Sequence, residues 1–245
     1  MYPVLFRIGP LTIYSYGLMV ALGFLAGIGI AIWLAKREKI ATEKILDLAV
    51  YVLIASVVGA RLFYVIEFWP EFITNPLNVF FVWQGGLVFY GGLLLAVITI
   101  LIYAQASKIN VWKLLDIIAP ATALGYAIGR IGCFLNGCCY GIECSLPWAV
   151  SFPNLAGLRH PTQIYASLTG LLIFGLLMVL WRFRKFEGQV FCAGLTMYGI
   201  YRFSIEFVRV NPRYILGLSM AQWGSILLVI IGLSIYYILS TRKAA

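Results

Sequence analysis

Three arginines lie inside stretches that are otherwise apolar: Arg61, Arg130 and Arg202. A cation at membrane depth costs at least about 2.5 kcal/mol on insertion scales, so each must face a partner, a polar cavity or the headgroup interface. Around Arg202 the chain reads Tyr198-Gly199-Ile200-Tyr201-Arg202-Phe203-Ser204-Ile205-Glu206, and the spacing of four puts Tyr198, Arg202 and Glu206 on one helical face. Two readings follow. Either Glu206 forms an intrahelical ion pair that makes a buried arginine tolerable, or it orients the guanidinium while the free donors and the Tyr198 hydroxyl grip an anion; the planar fork of arginine suits phosphate oxygens. Arg130 is flanked by Gly125, Gly129 and Gly132, which permit close helix packing or local opening of the backbone beside the charge, and Asn136 with the following glycines ends the segment. In the third region, Trp83 to Gly92, the pairs Gly85-Gly86 and Gly91-Gly92 surround Tyr90. They suit tight helix contact or unwound backbone lining a cavity for a polar headgroup. Arg61 follows Gly59-Ala60 and either snorkels to the headgroups or joins a substrate site.

These residues must be carried by membrane helices. Of 245 residues, 62% are hydrophobic and 11% charged, with mean hydropathy +0.96; soluble domains average about 25% charged residues, so an ordinary water-soluble globule is excluded. A span needs about 20 apolar residues. Seven such segments run over residues 11–34, 45–66, 80–103, 114–135, 164–181, 190–207 and 220–239. They are too long and uninterrupted for the strands of a barrel. The expectation is an all-α, polytopic integral membrane protein of about seven transmembrane helices, forming a single domain over 1–245. The opening MYPVLFRIGP lacks a basic leader and a cleavage site, so the first span is expected to be retained.

The net charge of +9 is distributed by topology. Lys36, Arg37, Lys39 and Lys44, then Lys108 and Lys113, then Arg182, Arg184 and Lys185, then Arg242 and Lys243 follow spans one, three, five and seven; Arg7, Arg159, Arg209 and Arg213 lie on the other side. Basic residues gather on the cytoplasmic side, which predicts an outside N-terminus and a cytoplasmic C-terminus. The excess fits contact with anionic membrane lipids, and nucleic acid is not an expected partner because no basic soluble domain exists to carry it.

Cys133, Cys138, Cys139 and Cys144 cluster near the end of the fourth span, and Cys192 lies in the sixth. Packing in a tight glycine-rich turn is the leading reading, ahead of a disulfide. No metal site is expected, because paired Cys-x-x-Cys units are missing, and no cofactor either. His160 is the only histidine; in a loop, with Pro161 and Gln163, it reads first as ordering the start of a helix.

In order along the chain, these segments resemble the phosphatidylglycerol:prolipoprotein diacylglyceryl transferases of bacteria. The resemblance rests on Tyr16-Gly17-Leu18-Met19, Gly59-Ala60-Arg61-Leu62 with Tyr64, Asn75-Pro76-Leu77 leading into Trp83-Gln84-Gly85-Gly86-Leu87, Asp116 with Ala119-Pro120, Gly129-Arg130-Ile131-Gly132, His160-Pro161-Thr162-Gln163-Ile164-Tyr165, the Tyr198 to Glu206 face, and Ser219-Met220-Ala221-Gln222-Trp223. It implies an enzyme of the bacterial cytoplasmic (inner) membrane that moves a diacylglyceryl group from phosphatidylglycerol to the lipobox cysteine of a prolipoprotein signal peptide, releasing glycerol phosphate. The nucleophile then belongs to the substrate, and the protein supplies a lipid cavity, a cationic clamp and a route for the thiol proton. The resemblance places Arg130, Arg202, Tyr90 and Glu206 in catalysis, and Tyr16, Arg61, Gly85, Gly86, Gly91, Gly92, Asn136, His160, Gln163 and Tyr198 in substrate binding. Two positions depart from the family pattern: Tyr90 stands where most members carry histidine, and Cys133 where they carry asparagine. The base is therefore open, since a tyrosine with pKa near 10 is a poor base at neutral pH. The alternatives are a catalytically inactive or altered-substrate relative that binds lipid or peptide, and a small transporter, although no internal inverted repeat is evident.

Overall fold

The computed structural model describes every residue except Pro10, Thr74, Asn154 and Ala245. The chain is mostly helical. Helices α1 (Ser15–Arg37), α2 (Thr42–Glu67), α3 (Trp69–Ile73), α4 (Phe89–Ala106), α5 (Val111–Asn136), α6 (Thr162–Phe183), α7 (Gln189–Ile205) and α8 (Met220–Ala244) are joined by short loops and four 3₁₀ turns. Six of the described helices, α1, α2, α4, α5, α6 and α8, are long and apolar enough to cross a membrane. Their apolar side chains remain outside: Leu25, Ile54, Ile102 and Leu172 are all more than half exposed. Contiguous apolar surface of this kind is stable only against lipid, so this is a multi-pass membrane protein.

Three expectations shift. The sixth expected span, 190–207, becomes the 17-residue α7, about 25 Å long at 1.5 Å per residue and so at the short limit for spanning. It ends early because Glu206 opens a 3₁₀ turn, Glu206–Val208. The first span starts at Ser15, because Leu11–Tyr14 (β2) pairs antiparallel with Val4–Ile8 (β1). The β-branched Thr12 and Ile13 and the aromatic Tyr14 suit that hairpin. The third begins at Phe89 and not at 80, because two 3₁₀ turns, Pro76–Phe80 and Val82–Gln84, are followed by Gly85 and Gly86 at positive φ. A second small hairpin joins β3 (Val150–Ser151) and β4 (Leu158–Arg159).

Contacts divide the chain into two compact units, residues 35–114 and residues 1–34 with 115–245. In the first, α2 packs on α4 through glycine. A Cβ at Gly59 would lie 2.5 Å from the Gly91 carbonyl oxygen, and one at Gly91 would strike the Gly59 carbonyl and Phe63. The two backbones touch, which is how helices associate where lipid removes the hydrophobic drive. In the second unit, α1 crosses α5 at Gly23 and Gly125, while α7 packs between α6 and α8. Asp116, fully buried on α5, accepts the Gly188 and Phe191 amides at 2.8 Å each and so caps the start of α7.

Candidate functional site

The unit of residues 35–114 is organised by Arg61. Its side chain is only 7% exposed and is ringed by backbone oxygens. Nε donates to Val79 O at 3.0 Å, Nη1 to Gly85 O at 2.8 Å and Gly86 O at 3.1 Å, and Nη2 to Asn78 O. The guanidinium also lies 5.4 Å from the Tyr64 and Phe72 ring centres. A cation buried near the end of a span is thus neutralised by carbonyl dipoles of the following loop and does not snorkel. Gly86 must be glycine. Its φ is +73°, and a Cβ there would sit 2.6 Å from Tyr64 and 2.7 Å from Arg61 Nη1. A cavity of about 160 Å³ remains beside this loop, lined by Arg61, Tyr64, Glu71, Phe72, Asn78, Gly85 and Gly86. Gly91 and Gly92 belong to the α2 contact, since a Cβ on Gly92 would meet Ser56 O at 2.8 Å. Tyr90, on the first turn of α4, is 72% exposed, with its ring edge-on to Phe89.

In the other unit, a cationic and aromatic site forms where α5 and α7 meet. The Arg202 guanidinium bonds Glu206, as the spacing of four requires. Glu206 is 4% exposed and accepts two further bonds, from Ser219 Oγ at 2.7 Å and Asn211 Nδ2 at 2.6 Å. Arg209 Nε lies 3.9 Å from it. Both carboxylate oxygens are therefore engaged, and one side of Arg202 is fixed to a rigid anion. Arg130 is half-buried and lies 4.9 Å over the Tyr126 ring. Tyr126 in turn packs edge-on against Tyr198 with ring centres 5.8 Å apart, and its hydroxyl is 3.2 Å from that of Tyr201. Tyr198 stands one turn before Arg202 on α7, so Arg130, through Tyr126, and Arg202 border the same tyrosine cluster. Tyr16 reaches the same place, within electrostatic range of Arg130, because Gly132 lets the start of α1 approach to 3.2 Å from where its Cβ would be.

Tyr126 and Tyr201 were not singled out by sequence reasoning. The signal was present for Tyr126: Tyr126-x₃-Arg130 repeats the spacing of Tyr198-x₃-Arg202, and a tyrosine one turn before an arginine presents its ring to the cation.

The remaining expected site residues hold the turn at the end of α5. That helix stops at Asn136, and Gly137 (φ +74°) and Cys139 (φ +63°) reverse the chain. At the start of α6, Thr162 Oγ1 donates to Cys139 O at 2.6 Å and the buried Gln163 Nε2 to Cys138 O at 2.5 Å. His160 fixes the next segment through its backbone, donating to Ile142 O and accepting from Gly141 N, while its Nδ1 lies 3.3 Å from the Tyr165 hydroxyl. Ile142 N bonds Val208 O, which ties this loop to the end of α7. The Sγ atoms of Cys133, Cys138 and Cys139 all lie within 4.8 Å of one another, and no cysteine is in a disulfide. The neighbouring Cys133 and Cys138 thiols and the Arg130 and Arg209 guanidiniums hold the Cys139 thiol below the usual thiol range.

In this multi-pass helical membrane protein, two arginines and a tyrosine cluster at one helix junction offer the planar donor forks that suit an anionic, phosphate-bearing ligand. The comparisons with known proteins give the family. Residues 3–238 match the model of the prolipoprotein diacylglyceryl transferase family. Proteins named phosphatidylglycerol–prolipoprotein diacylglyceryl transferase are 40% identical in Finegoldia magna (94% of this chain, 92% of that protein), 38% in Geobacter sulfurreducens (98% and 96%) and 37% in Bordetella bronchiseptica (96% and 94%). The chain belongs to the prolipoprotein diacylglyceryl transferase family.

Proposed function

We propose that this protein transfers the diacylglyceryl group of phosphatidylglycerol to the thiol of the lipobox cysteine of a prolipoprotein. A carbon–sulfur bond forms at the glyceryl carbon that carried the phosphate. The carbon–oxygen bond to that phosphate breaks, and glycerol phosphate leaves with the bonding pair. The thiol proton is balanced by the extra ionisable oxygen of the released monoester. Charge therefore gathers on phosphate oxygens in the transition state, and catalysis asks mainly for fixed cations aimed at them.

The observation that carries this reading is that Arg130 lies over the Tyr126 ring, Tyr126 packs edge-on against Tyr198, and Tyr198 stands one helical turn before Arg202, which is held from behind by a carboxylate with both oxygens engaged. A guanidinium bound on one side retains donors for a phosphate on the other. Glu206 thus acts as a positioning residue, and Tyr16 and Tyr198 frame the headgroup. Tyr90, in the unit of residues 35–114, serves the reaction as a hydrogen-bond donor and does not take up the proton. Arg61, Gly85 and Gly86 shape the loop before Tyr90, and His160, Gln163 and Asn136 shape the turn beside Arg130. Residues 1–245 act as one transferase domain in the bacterial inner membrane, N-terminus outside and C-terminus in the cytoplasm, in keeping with the basic-residue asymmetry.

The test is incubation of the purified protein with phosphatidylglycerol vesicles and a peptide carrying a lipobox cysteine. The expected result is a peptide heavier by one diacylglyceryl group, together with released glycerol phosphate. An unmodified peptide under conditions in which a known family member modifies it would overturn the assignment.

A further inference from the structure

The sulfur cluster at the end of α5 is not used by the transfer chemistry. Thiols are rare partners for one another in a packed turn, and three of them converge here. Cys133 is buried on the last turn of α5, and Cys138 and Cys139 are half-buried in the turn that follows. The reversal that brings them together is built from several independent contacts. Cys138 N donates to Cys133 O at 3.1 Å, Gly137 and Cys139 adopt positive φ, and Thr162 and Gln163 of α6 hold the carbonyls of Cys139 and Cys138. With their carbonyls held by α6, the two cysteines turn their Sγ atoms toward Cys133.

We propose that Cys133, Cys138 and Cys139 form a three-thiolate site for one thiophilic metal ion of the Zn(II) or Cu(I) type. Around a zinc ion with Zn–S of about 2.3 Å, thiolate sulfurs sit roughly 3.8–4.0 Å apart. The three Sγ atoms already lie within 4.8 Å of one another, so side-chain rotation of less than about 1 Å closes the set without moving the backbone. An all-sulfur donor set selects soft ions and disfavours Mg(II) or Ca(II). Three thiolates and a divalent ion carry one net negative charge. Arg130 lies within electrostatic range of Cys133 and Cys139, and Arg209 of Cys139, which compensates that charge. A fourth position stays open to water or an added ligand. The bound ion would link the end of the helix that carries Arg130 to the turn clamped by α6.

The probe is Zn(II) itself, titrated into the full-length, fully reduced protein in detergent against a chromophoric chelator, with Co(II) as the spectroscopic substitute. The expected result is about one ion per chain, a sulfur-to-cobalt charge-transfer band in the near ultraviolet, and protection from alkylation of three of the five cysteines. Cys133→Ser, Cys138→Ser and Cys139→Ser should each weaken binding by ~100-fold or more, whereas Cys144→Ser and Cys192→Ser should leave it unchanged. The alkylation pattern of the unaltered protein carries the test should a serine variant fail to fold. Absence of stoichiometric binding, protection of a different set of cysteines, or a disulfide within the trio in protein isolated without reductant would overturn the proposal.

Discussion

Arg61 and the pair Arg130/Arg202 meet the same problem, a guanidinium inside an apolar helix, and solve it in opposite ways. Arg61 is satisfied by four carbonyl oxygens of the loop that follows α2, so its donors point into the protein. Arg202 is held on one side by Glu206, and Arg130 rests on the face of Tyr126. Backbone carbonyls engage four of the five N–H donors of Arg61, whereas a side-chain anion or an aromatic face satisfies a cation from one direction. The first arrangement builds a loop, and the second leaves one side of each guanidinium for the proposed phosphate clamp. The same residue type, at the same cost of insertion, is enclosed or left open on one side according to what closes around it.

Substitution should separate the two. The largest effect is expected on stability: Arg61→Ala strands the carbonyls of Asn78, Val79, Gly85 and Gly86 and should cost about 3 kcal/mol or more, read as a lowered midpoint of thermal unfolding in detergent. Wild-type stability in that variant would abolish the contrast. Next come Arg130→Lys and Arg202→Lys, which retain charge but lose the two-pronged fork. Turnover should fall ~100-fold, equivalent to about 2.7 kcal/mol, with the unfolding midpoint unchanged. Near-normal turnover in either folded variant would remove that arginine from the clamp. The smallest effect is expected from Tyr90→Phe, which should slow turnover by about 0.5–1.5 kcal/mol and leave the pH profile of the rate in place. Complete inactivation, or a moved alkaline limb, would instead make Tyr90 the proton acceptor.

The Arg202–Glu206 pair was legible because an α-helix puts residues four apart on one face whatever surrounds it, and the six longest apolar segments were legible because lipid demands their length. Segment ends were less so. Leu11–Tyr14 runs without a break into the apolar helix it precedes, and only its pairing with Val4–Ile8 makes it a strand. The double glycine at 85 and 86 was visible as a break, but its partner, Arg61, lies 24 and 25 residues earlier in the chain.

By itself, the sequence determined that the protein lives in a bilayer, which helices carry its cations, and that Glu206 faces Arg202; each follows from composition or from the period of a single helix. Tertiary structure alone decided that Arg61 is closed off by carbonyls, that Tyr126 links Arg130 to Tyr198, and that three cysteines with no familiar metal-binding spacing share one point in space. Those outcomes depend on loops reversing at positive φ and on partners supplied by another helix. Contacts of that kind are set by chain reversal and helix crossing, for which local periodicity carries no signal.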